Sequence, residues 1–280
     1  MAPPDPSKET IEETSARYAK RTAGAVGQVG AESPLITPDQ AVLSDMPEGD
    51  EIAAYIDHTL LRAEATPDQI ERLCQEALEY KFASVCVNPL FVERASRRLA
   101  GSSVAVCSVI GFPQGAMVTE VKVHEAERAI QEGAVELDMV MPIGLLKAND
   151  FRAVAEDLVA VIRTAHQLES LVKVNIETAL LTREEIVKAC SLVREAGADF
   201  VETSTGFSHA GAKVEDVILI RTIVGDEIGV KAAGGIRTYQ DAIKMLSAGA
   251  SRLGDSLGVA IVEEARTGKS PSASNEAKTG

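Results

Sequence analysis

LVKVNIETALLTREEIVKACSLVREAGADFVETS, residues 171–204, carries the pattern that decides the fold. Residues 171–176 are rich in β-branched side chains and predict a strand. In the next stretch, Thr182 and Glu185 have the spacing of a helix capping box. That helix should end at Gly197, and the chain runs at once into a second strand, ADFVETS. A strand, a helix and a strand in close succession predict a βαβ unit in a parallel sheet.

The same unit recurs along the chain. Strands are predicted at residues 52–60, 82–87, 104–110, 135–141, 171–176, 200–204, 229–233 and 251–254. Eight units in roughly 215 residues give about 27 residues each, which suits a closed (β/α)8 TIM barrel. A doubly wound sheet, the alternative α/β arrangement, usually has five or six strands. The barrel prediction places any chemistry at the carboxyl ends of the strands.

The two ends of the chain differ from its middle. Six of the eleven prolines precede residue 50, so residues 1–50 are expected to be an N-terminal extension, partly helical over 8–21 or disordered. Residues 51–266 form the predicted barrel. Residues 267–280 contain hardly any apolar side chains, which predicts a disordered tail.

The amino-acid composition disfavours some classes of binding partner. Lysine and arginine number 28 against 42 acidic residues, a net charge of −14 that disfavours nucleic acid and anionic membranes. No apolar run approaches the roughly 18 residues of a membrane helix, and the N-terminus lacks a signal-peptide pattern, so a cytoplasmic location is expected. The four cysteines lack metal-ligand spacing and predict reduced core thiols.

Charged side chains interrupt several predicted strands. Glu136 and Asp138 alternate with apolar residues in VELDMV, so both can point into the barrel. Lys173 and Asn175 share a face of the fifth strand, and Lys231 lies in the seventh. Burying such groups is costly without a purpose, which favours an active site. A buried set satisfied by its own hydrogen bonds is the structural alternative.

Glycine-bearing turns follow the last two strands. Gly234 and Gly235 end the seventh strand, and Thr238 is the expected N-cap of the next helix. The turn GDSLG follows the eighth strand. Barrels commonly bind phosphate at these two places, although two tight turns without a ligand have the same pattern.

These motifs together resemble one family. IDHTLL, VIGFPQGAMVTEVKVHEAERAIQEGAVELDMV, KVNIET, ETSTGFS, VKAAGGIRT and ASRLG occur in this order and resemble the deoxyribose-phosphate aldolase family from residue 52 to residue 264. The resemblance implies a (β/α)8 class I aldolase that joins acetaldehyde to glyceraldehyde 3-phosphate reversibly. It further implies a lysine Schiff base, no metal or other cofactor, and a homo-oligomer, in the family usually a dimer.

The resemblance also implies roles for individual residues. Asp138 matches the family's proton-relay aspartate, Lys231 its second active-site lysine and Lys173 its strand-five lysine. The substrate-binding residues expected on this basis, several of them on the family's phosphate-binding segments, are Asn175, Thr203, Gly206, Gly234, Gly235, Arg237, Asp255 and Ser256.

Two departures from the family pattern stand out. Where the family has its Schiff-base lysine, in K-T-S-T-G, this chain has Glu202, and a carboxylate does not form an imine. In the turn after strand eight the family has two adjacent serines, whereas this chain keeps Ser256, has Leu257 in place of the other and adds Asp255. An acid beside a phosphate is repulsive.

These departures leave three functions open. The first is an enzyme on a small carbonyl or sugar-like substrate that uses Glu202, Asp138, Lys231 and Lys173 as acid/base groups. The second is residual aldol cleavage with another lysine as the amine. The third is a catalytically silent barrel that binds a metabolite or a protein partner, or an inactivated variant of a genuine aldolase.

Overall fold

The computed structural model describes residues 46–268 and contains a closed barrel of eight parallel strands. Each strand pairs with its neighbour in sequence, and β8 closes the barrel against β1, with Ile56 opposite Leu253. The strands are β1 Ile56–Leu60, β2 Ser84–Val87, β3 Ala105–Ile110, β4 Glu136–Val140, β5 Leu171–Asn175, β6 Phe200–Glu202, β7 Gly229–Ala233 and β8 Arg252–Asp255. The (β/α)8 prediction is confirmed.

Helices surround the barrel. They are α1 Pro67–Tyr80, α2 Val92–Leu99, α3 Thr119–Gln131, α4 Ile143–Lys147, α5 Phe151–Gln167, α6 Arg183–Ala196, α7 Val214–Val224, α8 Tyr239–Ser247 and α9 Gly258–Thr267. The capping box of Thr182 and Glu185 is present at the start of α6, and Gly197 ends that helix in the left-handed conformation. Thr238 caps α8 by accepting the Asp241 N–H at 3.1 Å.

The first strand is shorter than the sequence indicates. Residues 52–55 belong to a 3₁₀ helix, Gly49–Tyr55, so the strand prediction was wrong over these four residues. Glu48 and Glu51 cap this helix reciprocally, and Ile52 is buried against the barrel. Local capping therefore outweighs the apolar pattern that favoured a longer strand.

Successive side chains along each strand point alternately towards the helices and into the barrel. In β5, Val172 and Val174 belong to the main apolar core, whereas Lys173 and Asn175 are buried on the other face. The core therefore fills the layer between the sheet and the helices. The inside of the barrel holds the charged side chains together with a small apolar cluster of Cys86, Cys107 and Val109.

Most of the predicted extension and tail lies outside the described residues. This includes the helix expected over residues 8–21, so both assignments stay predictions. The last helix, α9, ends at Thr267, one residue beyond the predicted end of the barrel. Within residues 46–268 no helix combines the length and apolarity that crossing a bilayer requires.

A buried ion pair joins the outer helices. Lys122 of α3 is fully buried, and its Nζ lies 2.7 Å from Oδ2 of Asp157 in α5. The same ammonium donates to the Val140 carbonyl oxygen at 3.0 Å, and the Thr119 hydroxyl donates to Asp157 Oδ1 at 2.9 Å. These bonds tie two helices to the end of β4. Both charges are compensated without water.

We expect Lys122→Met to lower the free energy of unfolding by about 3–5 kcal/mol, because it leaves the Asp157 carboxylate buried without its cation. Arg128→Met, which removes an exposed i,i+4 pair with Glu132 from the same helix, should cost less than about 1 kcal/mol. Urea denaturation followed by circular dichroism measures both. Equal losses in the two variants would contradict this account of the buried pair.

Candidate active site

Seven charged side chains meet inside the barrel, on faces of the strands that alternation turns away from the helices. Three are basic and four are acidic. They are Lys173, Lys231 and Arg252, and Asp57, Glu136, Asp138 and Glu202. Six strands contribute to this cluster, so closure of the barrel is what brings the groups together.

Lys173 lies at the centre of the acidic groups. Its Nζ is 2.6 Å from Glu136 Oε2, 2.9 Å from Asp138 Oδ1 and 3.4 Å from Asp57 Oδ2. Burial disfavours the charged form of this lysine, but the surrounding carboxylates outweigh burial and hold its pKa well above the ordinary range. The Lys173 amine is therefore protonated at neutral pH.

Lys231 has a similar environment nearer the mouth of the barrel. Its Nζ lies 3.0 Å from Glu202 Oε1 and 3.2 Å from Asp57 Oδ2, and it also donates to Asp138 Oδ2. Burial opposes the charge, yet Asp138 and the other two acids raise the pKa of Lys231 well above its usual value. This amine is protonated as well.

Asp138 bridges the two lysines. One carboxylate oxygen contacts each ammonium, and the Cys86 thiol donates to Oδ2 at 3.4 Å. Burial favours the neutral acid, but Lys173 and Lys231 dominate and lower the pKa of Asp138. Asp138 is thus a fixed anion between two fixed cations.

Asp57 and Arg252 complete the cluster at the lower side of the barrel. Arg252 Nη1 lies 2.6 Å from Asp57 Oδ1 and 3.2 Å from Glu136 Oε2, and the Ser84 hydroxyl donates to Asp57 at 2.6 Å. Neither Asp57 nor Arg252 was among the sequence candidates. The signal was present, since each is a charged residue within a predicted strand, as Glu136 is.

Glu202 ends β6 and is 5% exposed. Burial raises the pKa of its carboxyl group to about 7, because the one ammonium beside it, Lys231, is shared with two other acids. Four carboxyl groups face three cations, so one carboxyl group is in surplus. Glu202 is the group that holds a proton near neutral pH.

A cavity of about 720 Å³ opens above the cluster, at the carboxyl ends of the strands. Asp138, Glu202 and Lys231 line its inner part. Six of the sequence-predicted binding residues also line it: Gly206, Gly234, Gly235, Arg237, Asp255 and Ser256. The structure therefore gathers nine of the twelve candidate residues around one cavity.

The other three candidates lie behind the wall of this cavity. Lys173 is buried beneath Asp138. The Asn175 side chain accepts the backbone N–H of Glu177 at 3.0 Å, and the Thr203 hydroxyl donates to the Ala233 carbonyl oxygen at 3.2 Å. Asn175 and Thr203 thus hold the ends of β5 to β7 in place. Neither side chain reaches the cavity.

Glu177 supports the loop after β6. Its Oε2 accepts the backbone N–H of Thr205 at 3.1 Å and the Thr205 hydroxyl at 2.5 Å. Gly234 and Gly235 then bring the β7 loop close, with φ of 86° and 80° that side chains rarely adopt. These contacts fix the loops that form the rim of the cavity.

One group of side chains has metal-ligand types. Ligand atoms of Cys86, Cys107 and Asp138 lie within 4.8 Å of one another. Thiols bind metal as thiolates, but burial raises the pKa of Cys107 well above its usual value. Lys173 Nζ also lies 3.4 Å from Cys107 Sγ, a positive charge where a cation would have to bind. This trio therefore fits a metal poorly.

Known proteins resemble this chain in sequence over the whole barrel. The family profile described as DeoC/LacD family aldolase matches residues 51–264. The chain is 55% identical over 216 residues to the deoxyribose-phosphate aldolase of Clostridium tetani, covering 77% of this chain and 100% of that protein. It is 58% identical over 217 residues to that of Thermococcus kodakarensis, covering 77% and 97%.

A solved structure agrees with the sequence relatives. The tetrameric deoxyribose phosphate aldolase of Aeropyrum pernix superposes with a TM-score of 0.77 at 32% identity, over 82% of this chain and 97% of that one. The matched segment spans the whole barrel, including every residue of the charged cluster. The chain therefore belongs to the DeoC/LacD aldolase family.

Proposed function

We propose that this protein is an aldolase-like carbon–carbon lyase that acts on a small carbonyl or sugar-like substrate by proton transfer, without a lysine imine. One observation carries the proposal. At the inner end of the cavity a carboxyl group, Glu202, contacts Lys231 at 3.0 Å, at the position where the family motif K-T-S-T-G has its lysine.

The two remaining lysines are poor nucleophiles. Imine formation needs a neutral amine, and enzymes obtain one by desolvation or by a neighbouring cation. Here the nearest groups to Lys173 and Lys231 are carboxylates, at 2.6 Å and 3.0 Å among others. Both ammonium groups are therefore stabilised in the charged form. They can donate hydrogen bonds to a carbonyl oxygen but do not attack it.

The same groups suit a proton-transfer cleavage. Glu202, with its pKa near 7, can take the proton of a β-hydroxyl group as a general base. The carbon–carbon bond then breaks, its electron pair forms an enolate, and the hydroxyl-bearing carbon leaves as an aldehyde. Lys231 donates a hydrogen bond to the enolate oxygen, and Glu202 returns the proton to the enolate carbon. Atoms and charges balance without a covalent intermediate.

Borohydride trapping tests the proposal directly. The wild-type protein is incubated with acetaldehyde or with deoxyribose 5-phosphate, reduced, and measured by intact mass. We expect no adduct on Lys173 or Lys231 with either compound, because both amines are protonated. Acetaldehyde is the essential arm, since it enters an imine pocket without needing a phosphate site, and peptide mapping separates these two lysines from exposed ones such as Lys244. A stoichiometric adduct on Lys173 or Lys231 would overturn the proton-transfer mechanism.

Glu202→Lys should create an imine-forming site. The variant has four cations facing three carboxylates, so one amine is in surplus and loses its proton most easily. We expect a borohydride adduct on residue 202 with acetaldehyde and a gain in cleavage of deoxyribose of more than about a hundredfold over wild type.

Glu202→Gln is the matched control, because it removes the acid without supplying an amine. It should give no adduct and no gain in cleavage. If the lysine variant folds but acquires neither an adduct nor activity, the cluster is not equivalent to the aldolase site and the charge-balance account is wrong.

Stability should depend on pH through Glu202. Its pKa rises from 4.5 to about 7 on folding, so the native state binds the proton more tightly and loses stability as pH increases between those values. Lys231, Asp138 and Lys173 face this group and keep their charges over that range. Relative to Glu202→Gln, the wild type should lose about 2–3 kcal/mol between pH 5 and pH 8. Urea unfolding of both proteins at the two pH values measures this, and a constant difference would contradict it.

The expectations of a cytoplasmic homo-oligomer stay predictions. The roles of the individual binding residues are also predictions. The position of six of them around one cavity of the described chain supports these roles, whereas Asn175 and Thr203 lie behind its wall.

A further inference from the structure

Asp255 introduces a carboxyl group at the outer part of the cavity. In the barrel register Lys231 lies opposite Arg252, and Asp255 lies three residues farther towards the carboxyl ends of the strands. The Lys231 side chain extends towards the same end, because a Cβ placed on Gly254 would lie 3.6 Å from Lys231 Nζ. The Lys231 ammonium therefore lies beside the strand segment that carries Asp255.

This carboxyl group lacks a complete set of partners. Its Oδ1 accepts the backbone N–H of Leu257, whereas the buried Oδ2 has no hydrogen-bond partner within residues 46–268. Asp255 is 6% exposed and forms no ion pair with a described cation. Its register partner on β1 is His58, whose buried Nδ1 likewise has no hydrogen-bond partner among the described residues. A buried acceptor left without a donor is costly, which points to a donor that arrives with the ligand.

Ser204 presents a second such group at the same cavity. Its Oγ has no hydrogen-bond partner among the described residues, and the residue is 1% exposed. A Cβ placed on Gly234 would lie only 3.6 Å from the Ser204 Cβ, so the loops after β6 and β7 meet here. The cavity wall thus holds an acceptor and a hydroxyl group, both buried and both available to a ligand.

We propose that the outer part of the cavity binds an uncharged hydroxyl group, so that the substrate is a free, non-phosphorylated hydroxyaldehyde or sugar, and that Asp255 determines this specificity. The inference rests on the proposed function in one respect, because it takes the ligand of this cavity to be the carbonyl or sugar-like substrate of that function.

A phosphate group fits these residues poorly. Phosphate oxygens and a carboxylate are both acceptors, and two negative charges in a buried site repel each other. Leu257 brings no hydroxyl group to the turn. Three arginines line the cavity, but Arg62 is paired with Glu64 and Arg72 with Glu76. Arg237 is exposed, so water and salt screen its charge.

A hydroxyl group fits better than an ammonium group. Burial raises the pKa of Asp255 to about 7, so the carboxyl group exists in both protonation states near neutral pH. A hydroxyl group donates to the ionised form and accepts from the neutral one, whereas an ammonium group only donates. The Ser204 hydroxyl can both donate and accept a hydrogen bond. It can therefore pair with a ligand hydroxyl that acts either as acceptor or as donor.

Isothermal titration calorimetry at pH 8, where Asp255 is mostly ionised, tests the proposal with two probes of one carbon skeleton. These are deoxyribose and deoxyribose 5-phosphate. The wild type should bind the free sugar at least about tenfold more tightly than the ester. Asp255→Asn keeps an oxygen for the Leu257 N–H and removes the charge, so it should raise the affinity for the ester relative to the free sugar at least about tenfold.

Leu257→Ser is the matched variant, because it restores a hydroxyl group to the turn and leaves the acid in place. It should not rescue ester binding. An amine-bearing sugar of the same length serves as a third probe. Tighter binding of the ester than of the free sugar by the wild type would overturn the proposal, as would tighter binding of the amine or an unchanged affinity for the ester relative to the free sugar in Asp255→Asn.

The titrations need no turnover, so they are independent of the mechanism. A borohydride adduct in the wild type would contradict the proton-transfer function, but a measured preference for the free sugar would still support the role of Asp255. Conversely, tight ester binding without an adduct would contradict only the role of Asp255. Asp255→Thr replaces Asp255→Asn if circular dichroism shows that the latter does not fold.

Discussion

The site depends on how three cations share four carboxyl groups inside a barrel. Lys173 and Lys231 each contact three acids, and Asp138 lies between the two lysines. In a buried environment such groups are tolerated only when they are paired, so each fixes the protonation of the next. The arrangement leaves one surplus acid. Burial selects Glu202 for that role because its single cation is already shared.

The fold explains why the balance of charges in this cluster cannot be changed at one residue without affecting the others. Strand alternation turns apolar residues such as Val172 and Val174 towards the helices and polar ones inward. A change of one charge inside the barrel therefore alters the electrostatic environment of side chains from several strands at once. An amine in place of the acid at the end of β6 would reverse the sign of the surplus. The chemistry open to the neighbouring lysines follows from that sign.

Much of this architecture could be predicted from sequence, because its causes are local. Strand spacing, the capping box at Thr182 and the glycine at 197 are read within a few residues, and all are present. The shortened β1 was missed because a reciprocal cap begins a 3₁₀ helix there. Asp57 and Arg252 were missed for another reason. Each is a charge within a predicted strand, but the contact between them arises only when the barrel closes and β8 pairs with β1.

Glu202 and Asp255 have a common electrostatic consequence. Each is a buried acid whose pKa lies near 7, and each lines the same cavity. With Glu202 protonated, the three cations of the cluster face three carboxylates, so the cluster itself is electrically neutral. An ionised Asp255 repels an anionic ligand, and no cation of the cluster is left without a carboxylate to compensate that ligand. In the proposed function, Glu202 at the end of β6 and Asp255 in the turn after β8 therefore favour the same kind of molecule, a neutral one.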